Sequence, residues 1–295
     1  MAHTHTFPRG PITRRRFLKA GICGAAGLTL YAGEIARHWI EITRRDMVLR
    51  GLPAAFDGLR VAQLSDIHLD EFTEPFFLRQ AIGCINALHP DLVFLTGDYV
   101  THQLGMHKFA VGEAWQCANI LQELKCRRIY AILGNHDVLV GAKQVTEALT
   151  ANGITVLVNS YLPIERGGSR FWLAGLDEPG VGHPRPELAV PESIRNLPHE
   201  PVVLMCHAPD YADDLITHPA GQAVNVMLAG HTHGGQVRLP FVGALVLPPL
   251  GKKYVEGSFT VGSMQLYVNR GLGTVGLPFR FDCPPEITLH TLRRS

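Results

Sequence analysis

Short apolar runs that each stop on a polar residue set the pattern of this chain. Val61-Ala62-Gln63-Leu64-Ser65 gives way to Asp66 and His68, Leu92-Val93-Phe94-Leu95 to Asp98, and Ile129-Tyr130-Ala131-Ile132-Leu133 to Gly134-Asn135-His136-Asp137. Further on, Val202-Val203-Leu204-Met205-Cys206 ends in His207, and Val226-Met227-Leu228-Ala229 ends in Gly230-His231-Thr232-His233. Apolar runs this short, bounded by turn residues, predict buried strands. Strands are expected at 60–65, 92–96, 129–133 and 155–158, with helical spacing of apolar residues at 74–88, 111–124 and 142–152 between them. Gly153 is placed to stop the third helix. From residue 162 the texture changes to hairpins, 162–165 and 171–174 around Gly167-Gly168, and the end of the chain reads as strands at 258–261, 265–268 and 287–292. An alternating half followed by a strand-rich half predicts an α/β fold of two packed sheets with helices outside. The polar run-ends would then gather at the C-terminal ends of the strands, where open α/β sheets place their ligands.

Two stretches interrupt the pattern. Residues 177–198 are rich in Pro and Gly, and residues 236–254 mix Val237, Leu239, Phe241, Val242, Leu245, Val246, Leu247 and Leu250 with Pro240, Pro248 and Pro249. Loops of this length are more often functional than accidental. The second reads first as a buried strand with proline-bounded ends; its alternative is an apolar rim, beside the polar run-ends, that receives an acyl chain. No internal repeat and no linker divides the body, so residues 59–295 are expected to be one domain, after a segment 1–33 and a linker with an opening strand at 34–58.

A hydrophobic fraction of 46% provides for a substantial core, and a formal net charge of +1 supplies no field that would attract nucleic acid, so no nucleic-acid partner is expected. Histidine is over-represented at 15. His3, His5, His38, His89, His183, His199, His218 and His290 are assigned to ordinary surface positions, which leaves the run-end histidines for chemistry. Cys84, Cys117, Cys126, Cys206 and Cys283 show no C-x-x-C spacing and are expected mostly as small buried hydrophobes.

Carboxylate and amide oxygens together with imidazoles, converging from five run-ends, are the donor set of a two-metal site. Asp66-x-His68, Gly97-Asp98, Gly134-Asn135-His136-Asp137, His207 and Gly230-His231-x-His233, in that order, resemble the calcineurin-like metallophosphoesterase family over residues 59–235. Gly234-Gly235-Gln236 and Phe281-Asp282-Cys283-Pro284-Pro285-Glu286-Ile287 extend the likeness to a bacterial branch with exported phospholipid phosphatases and UDP-2,3-diacylglucosamine hydrolases. The resemblance implies a four-layer αββα sandwich. It implies that Asp66, His68 and His233 hold one divalent metal ion and Asn135, His207 and His231 another (Mn, Fe or Zn), with Asp98 bridging. It implies also that His136 acts beside the metals, protonating the leaving oxygen or holding the phosphoryl group. Asp137 is expected to orient the His136 imidazole, and the two-residue spacings in Asp66/His68 and His231/His233 to aim each pair to one side of an extended segment. Arg270 and Arg280 are weaker candidates for a phosphate, with structural pairing the first reading.

Thr13-Arg14-Arg15-Arg16-Phe17-Leu18-Lys19 followed by the uncharged 20–33 resembles a twin-arginine export signal. The twin-arginine export machinery is thus an expected partner, and the periplasm or the outer face of the cytoplasmic membrane the expected location. Cleavage after Ala32 and an uncleaved anchor both remain open. The function expected is hydrolysis of a phosphate ester or pyrophosphate, with a phosphorylated lipid at a membrane surface as substrate. Its alternatives are a phosphodiesterase for a soluble nucleotide and a metal-stabilised binding module.

Overall fold

The computed structural model describes residues 13–70, 72–102, 107–195, 197 and 199–295. His3 and His5 lie outside the described residues. The described chain opens with α1 (Arg14–Leu30), β1 (Glu41–Leu49) and β2 (Arg60–Leu64). It alternates through α2 (Pro75–Leu88), β3 (Leu92–Leu95), α3 (His107–Leu121), β4 (Ile129–Ala131), α4 (Asn135–Ala151) and β5 (Thr155–Val156). The hairpin β6 (Ser160–Arg166) and β7 (Ser169–Gly175) follows, then short helices α5 (Pro186–Ala189) and α6 (Glu192–Arg195) and strand β8 (Val202–Met205). Helices α7 (Ala212–Thr217) and α8 (Pro219–Gln222) lead to β9 (Val224–Ala229), and the two-residue strands β10 (Arg238–Leu239) and β11 (Gly243–Ala244) come next. Strands β12 (Gly257–Val261), β13 (Met264–Val268) and β14 (Glu286–Arg294) close the fold.

Among the described residues twelve of these strands form two six-stranded sheets, ordered β1-β14-β2-β3-β4-β5 and β12-β13-β9-β8-β7-β6, and β10 and β11 pair separately. Strands β2 to β5 run parallel in the first, and β7, β8, β9 and β13 run parallel in the second. Side-chain alternation along each strand divides the core into three apolar layers. In β3, Val93 and Leu95 face the helices α2–α4, while Leu92 and Phe94 face the other sheet. In β8, Val203 and Met205 face the first sheet, while Val202 and Leu204 face the layer that includes Ala212, Leu215 and Ala220. The result is the four-layer αββα sandwich.

Helix α4 begins seven residues before the expected 142, at Asn135 itself, and bends at Gly141, whose φ is 136°. The histidine assignments need three corrections. His218 is half-buried, its Nδ1 accepting the Ala220 N–H at 3.1 Å. His38 is half-buried, its ring edge-to-face with Phe77 at 4.9 Å. His290 is buried at 2% exposure, because β14 is a central strand and His290 pairs in register with Val61. Its Nε2–H donates to Gln63 Oε1 at 3.0 Å, and Gln63 Nε2 in turn donates across the sheets to Ala229 O at 3.0 Å.

Burial, with Arg45 adding to it, pushes the His290 pKa down to about 3. The unfolded chain then takes up a proton below about pH 6.5 that the folded chain refuses, so His290 stabilises the fold fully above that pH and progressively less below it. Between about pH 7 and pH 5 the loss should be roughly 2 kcal/mol. Urea unfolding at both pH values should show a drop smaller by that amount in His290→Asn. Equal drops in the two proteins would sink the assignment.

Candidate metal centre

Five strand ends build the site. Asp66 and His68 follow β2, Asp98 follows β3, Asn135 opens α4 after β4, His207 follows β8, and His231 and His233 follow β9. The loops meet so closely that side chains are excluded at their joints: a Cβ on Gly134 would lie 2.1 Å from Asp98 Oδ1, and one on Gly230 would lie 1.9 Å from Ser65 Oγ. Asp66, His68, Asp98, His231 and His233 all take left-handed backbone conformations, with φ of 50°, 48°, 57°, 73° and 51°. Such conformations cost free energy in residues other than Gly and cluster at functional sites. They also correct the expectation that extended backbone aims the paired residues. Tight turns, not strand alternation, turn Asp66 and His68 inward.

The atoms converge closely. His233 Nε2 lies 3.2 Å from His68 Nε2 and 3.6 Å from Asp66 Oδ1. Asp98 Oδ2 lies 3.5 Å from His68 Nε2 and 3.1 Å from His207 Nε2. Two sets result, Asp66/His68/His233 and Asp98/His207/His231, each with donor atoms within 4.8 Å of one another. Asp98 also groups with His68 and His136, so it touches both sides of the site. Asn135 Oδ1 is buried with no hydrogen-bond partner. A buried amide oxygen left without a partner is costly, and a cation within its reach would satisfy it. The donor set therefore fits divalent metal.

The other nitrogen of three histidines is already committed, which fixes the tautomer. His207 Nδ1 donates to Thr96 O at 2.7 Å and leaves Nε2 for a metal. His231 does the reverse, with Nε2 donating to Pro249 O at 2.7 Å and Nδ1 left free. The Thr101 hydroxyl gives its hydrogen to Asp70 Oδ2 at 2.6 Å, so it can only accept from His68 Nδ1 at 3.1 Å. Burial acts to raise the pKa of Asp98, but the nearby His207 and His136 charges and hydrogen bonds from His207 and His68 outweigh it and hold the carboxyl well below its usual range. Burial acts to lower His207, yet Asp98 and Asp66 push it up to about 10. The carboxylates thus hold a positive charge in place, a part that a bound cation takes over.

His136 stands beside these groups, its ring edge-to-face with His68 at 4.8 Å. Its Nδ1 accepts the backbone N–H of His102 at 2.9 Å, which leaves the ring hydrogen on Nε2. Burial, with His68 and His207 adding to it against the opposing Asp98, lowers its pKa to about 4. At neutral pH it is an uncharged N–H donor. Asp137 does not orient it. That carboxylate instead accepts the backbone N–H groups of Asp98, Tyr99 and Gly134 at 2.7, 2.9 and 2.9 Å, so it fixes the loop that carries Asp98.

Other polar residues have structural roles. Arg280 is fully buried and donates to the carbonyls of Gly273, Cys283, Arg270 and Gly271, with Nη2 3.4 Å from His233 Nδ1. Arg270 pairs with Glu41 at 2.8 Å and Glu286 at 3.4 Å. Ser65 Oγ donates to Thr96 O and Thr232 Oγ1 to Val255 O. Burial pushes the Cys206 thiol up, which leaves it inert. Sequence reasoning missed Thr101, Asp70, Glu178 and the carbonyls of Thr96 and Pro249. Only Asp70 carried a signal, as a third polar residue two positions beyond His68. Glu178, buried and accepting the Gly180 and Val181 N–H groups at 2.7 Å each, ties down the start of the 177–198 loop.

The 236–254 stretch is not a buried strand. Pro240, Pro248, Pro249 and a left-handed Gly243 break it into the short β10–β11 hairpin, and Phe241 and Val246 are exposed at 109% and 79%. Behind the hairpin lies a cavity of about 730 Å³, lined by apolar side chains such as Leu239, Leu245, Val246, Phe279 and Phe281 and reaching His233.

Comparison with known proteins agrees with this geometry. The calcineurin-like phosphoesterase family matches residues 59–235. The chain is 37% identical over 294 residues to the uncharacterized metallophosphoesterase YkuE of Bacillus subtilis, covering 96% of this chain and 99% of the relative. It is 33% identical to the phosphodiesterase YaeI of Escherichia coli, with 94% and 98% covered. To the UDP-2,3-diacylglucosamine pyrophosphatase LpxG of Chlamydia trachomatis it is 26% identical, with 88% and 91% covered. This chain belongs to the calcineurin-like metallophosphoesterases and is a metal-dependent phosphoester hydrolase.

Proposed function

We propose that this hydrolase cleaves a phosphate ester or pyrophosphate of a lipid, using two divalent cations, after twin-arginine export to the outer face of the cytoplasmic membrane. In this reading Asp66, His68 and His233 would hold one cation (Mn, Fe or Zn) and Asn135, His207 and His231 the other, with the Asp98 carboxylate shared between them. Bound divalent ions supply Lewis acidity to phosphoryl oxygens and lower the pKa of water at the site. Thr101, Thr96 and Pro249 hold the imidazoles of His68, His207 and His231 in the orientation and tautomer that this requires. The neutral His136 Nε2–H is placed to donate to the leaving oxygen or to the phosphoryl group.

The observation that carries the lipid reading is the apolar cavity that reaches His233. A soluble nucleotide would leave that surface uncovered, whereas an acyl chain would fill it and bring its own phosphate to the metal centre. LpxG, a relative, is named for hydrolysis of a diacylated sugar nucleotide.

Leu245→Ser and Val246→Ser should lower turnover of acylated phosphoesters roughly tenfold or more, since burying one large apolar side chain is worth about 1.5–3 kcal/mol. Cleavage of a short nitrophenyl phosphodiester should be spared. A screen of lipid phosphates and nucleotides on the Mn²⁺-loaded protein and these variants tests the reading. Equal losses on both substrates with a lowered Tm, or a preference for nucleotides, would overturn it.

A further inference from the structure

The end of α1 and the residues that follow it are built into the wall of the apolar cavity, which Leu28, Thr29 and Ala32 line. Ala32 O accepts the backbone N–H of Arg280 at 3.0 Å, and a Cβ on Gly33 would lie 2.9 Å from the Phe279 ring. The Tyr31 and Phe281 rings meet edge-to-face at 6.4 Å. Arg37 donates to the carbonyls of Gly33 and Phe72 and pairs with Glu74 at 2.8 Å, and His38 Nε2 lies 3.2 Å from the same carboxylate. Residues 31–38 are thus tied to the hydrolase domain by backbone, side-chain and ring contacts. Helix α1 departs from this tether at the cavity mouth, where Leu28 and Thr29 line the opening.

Helix α1 buries none of its residues, and Phe17, Leu18, Ile22, Leu28 and Leu30 are all exposed. The β10–β11 hairpin lines the same cavity, and its tip, Phe241 and Val242, is exposed as well. Two elements that leave large apolar side chains exposed therefore frame one opening that reaches His233, an arrangement that marks an interaction surface. Helix α1 also carries a solvent-exposed cationic cluster, Arg14, Arg15, Arg16 and Lys19.

We propose that α1 and the β10–β11 tip form a docking surface for an anionic lipid bilayer, and that α1 is retained on the working protein. Basic side chains meet anionic headgroups while the apolar ones enter the acyl boundary. No helix among the described residues is long and apolar enough to cross a membrane. Removal of the chain up to Ala32 would strip Leu28, Thr29 and Ala32 from the cavity wall and the acceptor from Arg280 N–H. Docked this way, the cavity opens toward the lipid and its inner end toward His233. The surface serves the lipid reading above, but vesicle binding is read without turnover, and turnover of detergent-dispersed lipid phosphate is read without vesicles.

The test is co-sedimentation of the full chain with mixed phosphatidylglycerol–phosphatidylcholine vesicles and with phosphatidylcholine alone. The wild-type protein should favour the anionic vesicles, less so as salt rises. Phe241→Ser with Val242→Ser should weaken vesicle binding by roughly tenfold or more. Replacement of Arg14, Arg15 and Arg16 by Gln should remove the preference for anionic lipid. All of these variants should keep the wild-type Tm and cleavage of a nitrophenyl phosphodiester. Protein recovered from the membrane fraction should retain α1 by intact mass. Failure of the wild type to sediment, binding unchanged in the variants, a mass that lacks residues 1–32, or a dimer that forms without vesicle binding would each overturn the proposal. Vesicle binding with no turnover of dispersed lipid phosphate would uphold the docking surface and overturn the lipid substrate instead.

Discussion

Asp98→Asn is expected to abolish hydrolysis and lower the metal content while the fold persists. The substitution keeps shape but removes the charge that faces His68 and His207 at 3.5 and 3.1 Å. An amide offers a single oxygen and no net charge, so it cannot bridge two cations as a carboxylate does. Activity should fall by roughly 10³-fold or more, the scale seen when a group that stabilises transition-state charge is lost. The backbone should hold, because Asp98 Oδ1 accepts the His136 N–H at 2.8 Å and an amide oxygen can accept it equally. Metal analysis, circular dichroism and turnover on one preparation check this. Near-normal turnover with full metal content would rule out the bridging role.

His136→Ala separates chemistry from metal binding. Its imidazole has Nδ1 occupied by the His102 N–H and only Nε2–H to offer, so it is equipped to donate a proton or hydrogen bond rather than to bind a cation through Nε2. The variant should keep its metal and lose roughly 10²–10⁴-fold in rate, the range for a positioned general acid. An ester with a good leaving group, such as nitrophenol, should lose less, since its oxygen needs less protonation. Equal losses on good and poor leaving groups would show that His136 holds the phosphoryl group instead. Loss of metal from the variant would place the imidazole among the ligands, which its grouping with His68 and Asp98 within 4.8 Å makes a sharp test.

The sequence by itself determined the layered α/β architecture and which strand ends carry polar residues to the rim. Short apolar runs are a local property, and a strand that ends in Asp98 or His207 must deliver that residue to the rim wherever the neighbouring strands lie. The order of the polar run-ends was therefore enough to expect Asp66, His68, Asp98, Asn135, His207, His231 and His233 at one rim, and the structure brings Asp66, His68 and His233 together and Asp98 together with His207 and His231.

Only the tertiary structure decided how those residues are held. His207 and the Thr96 carbonyl that fixes its tautomer are 111 residues apart, and backbone carbonyls carry no mark in a sequence. The same limit hid Pro249 behind His231, sent Asp137 to the backbone of Asp98 and Tyr99 rather than to its neighbour His136, and buried His290 against Gln63. The 236–254 stretch was ambiguous for a different reason. Its apolar residues satisfy a core strand and an exposed hairpin alike, and what separates the two is whether another layer covers them. That depends on packing from elsewhere in the chain, here the tether at residues 31–38 that seats α1 beside the hairpin and leaves an apolar cavity between them.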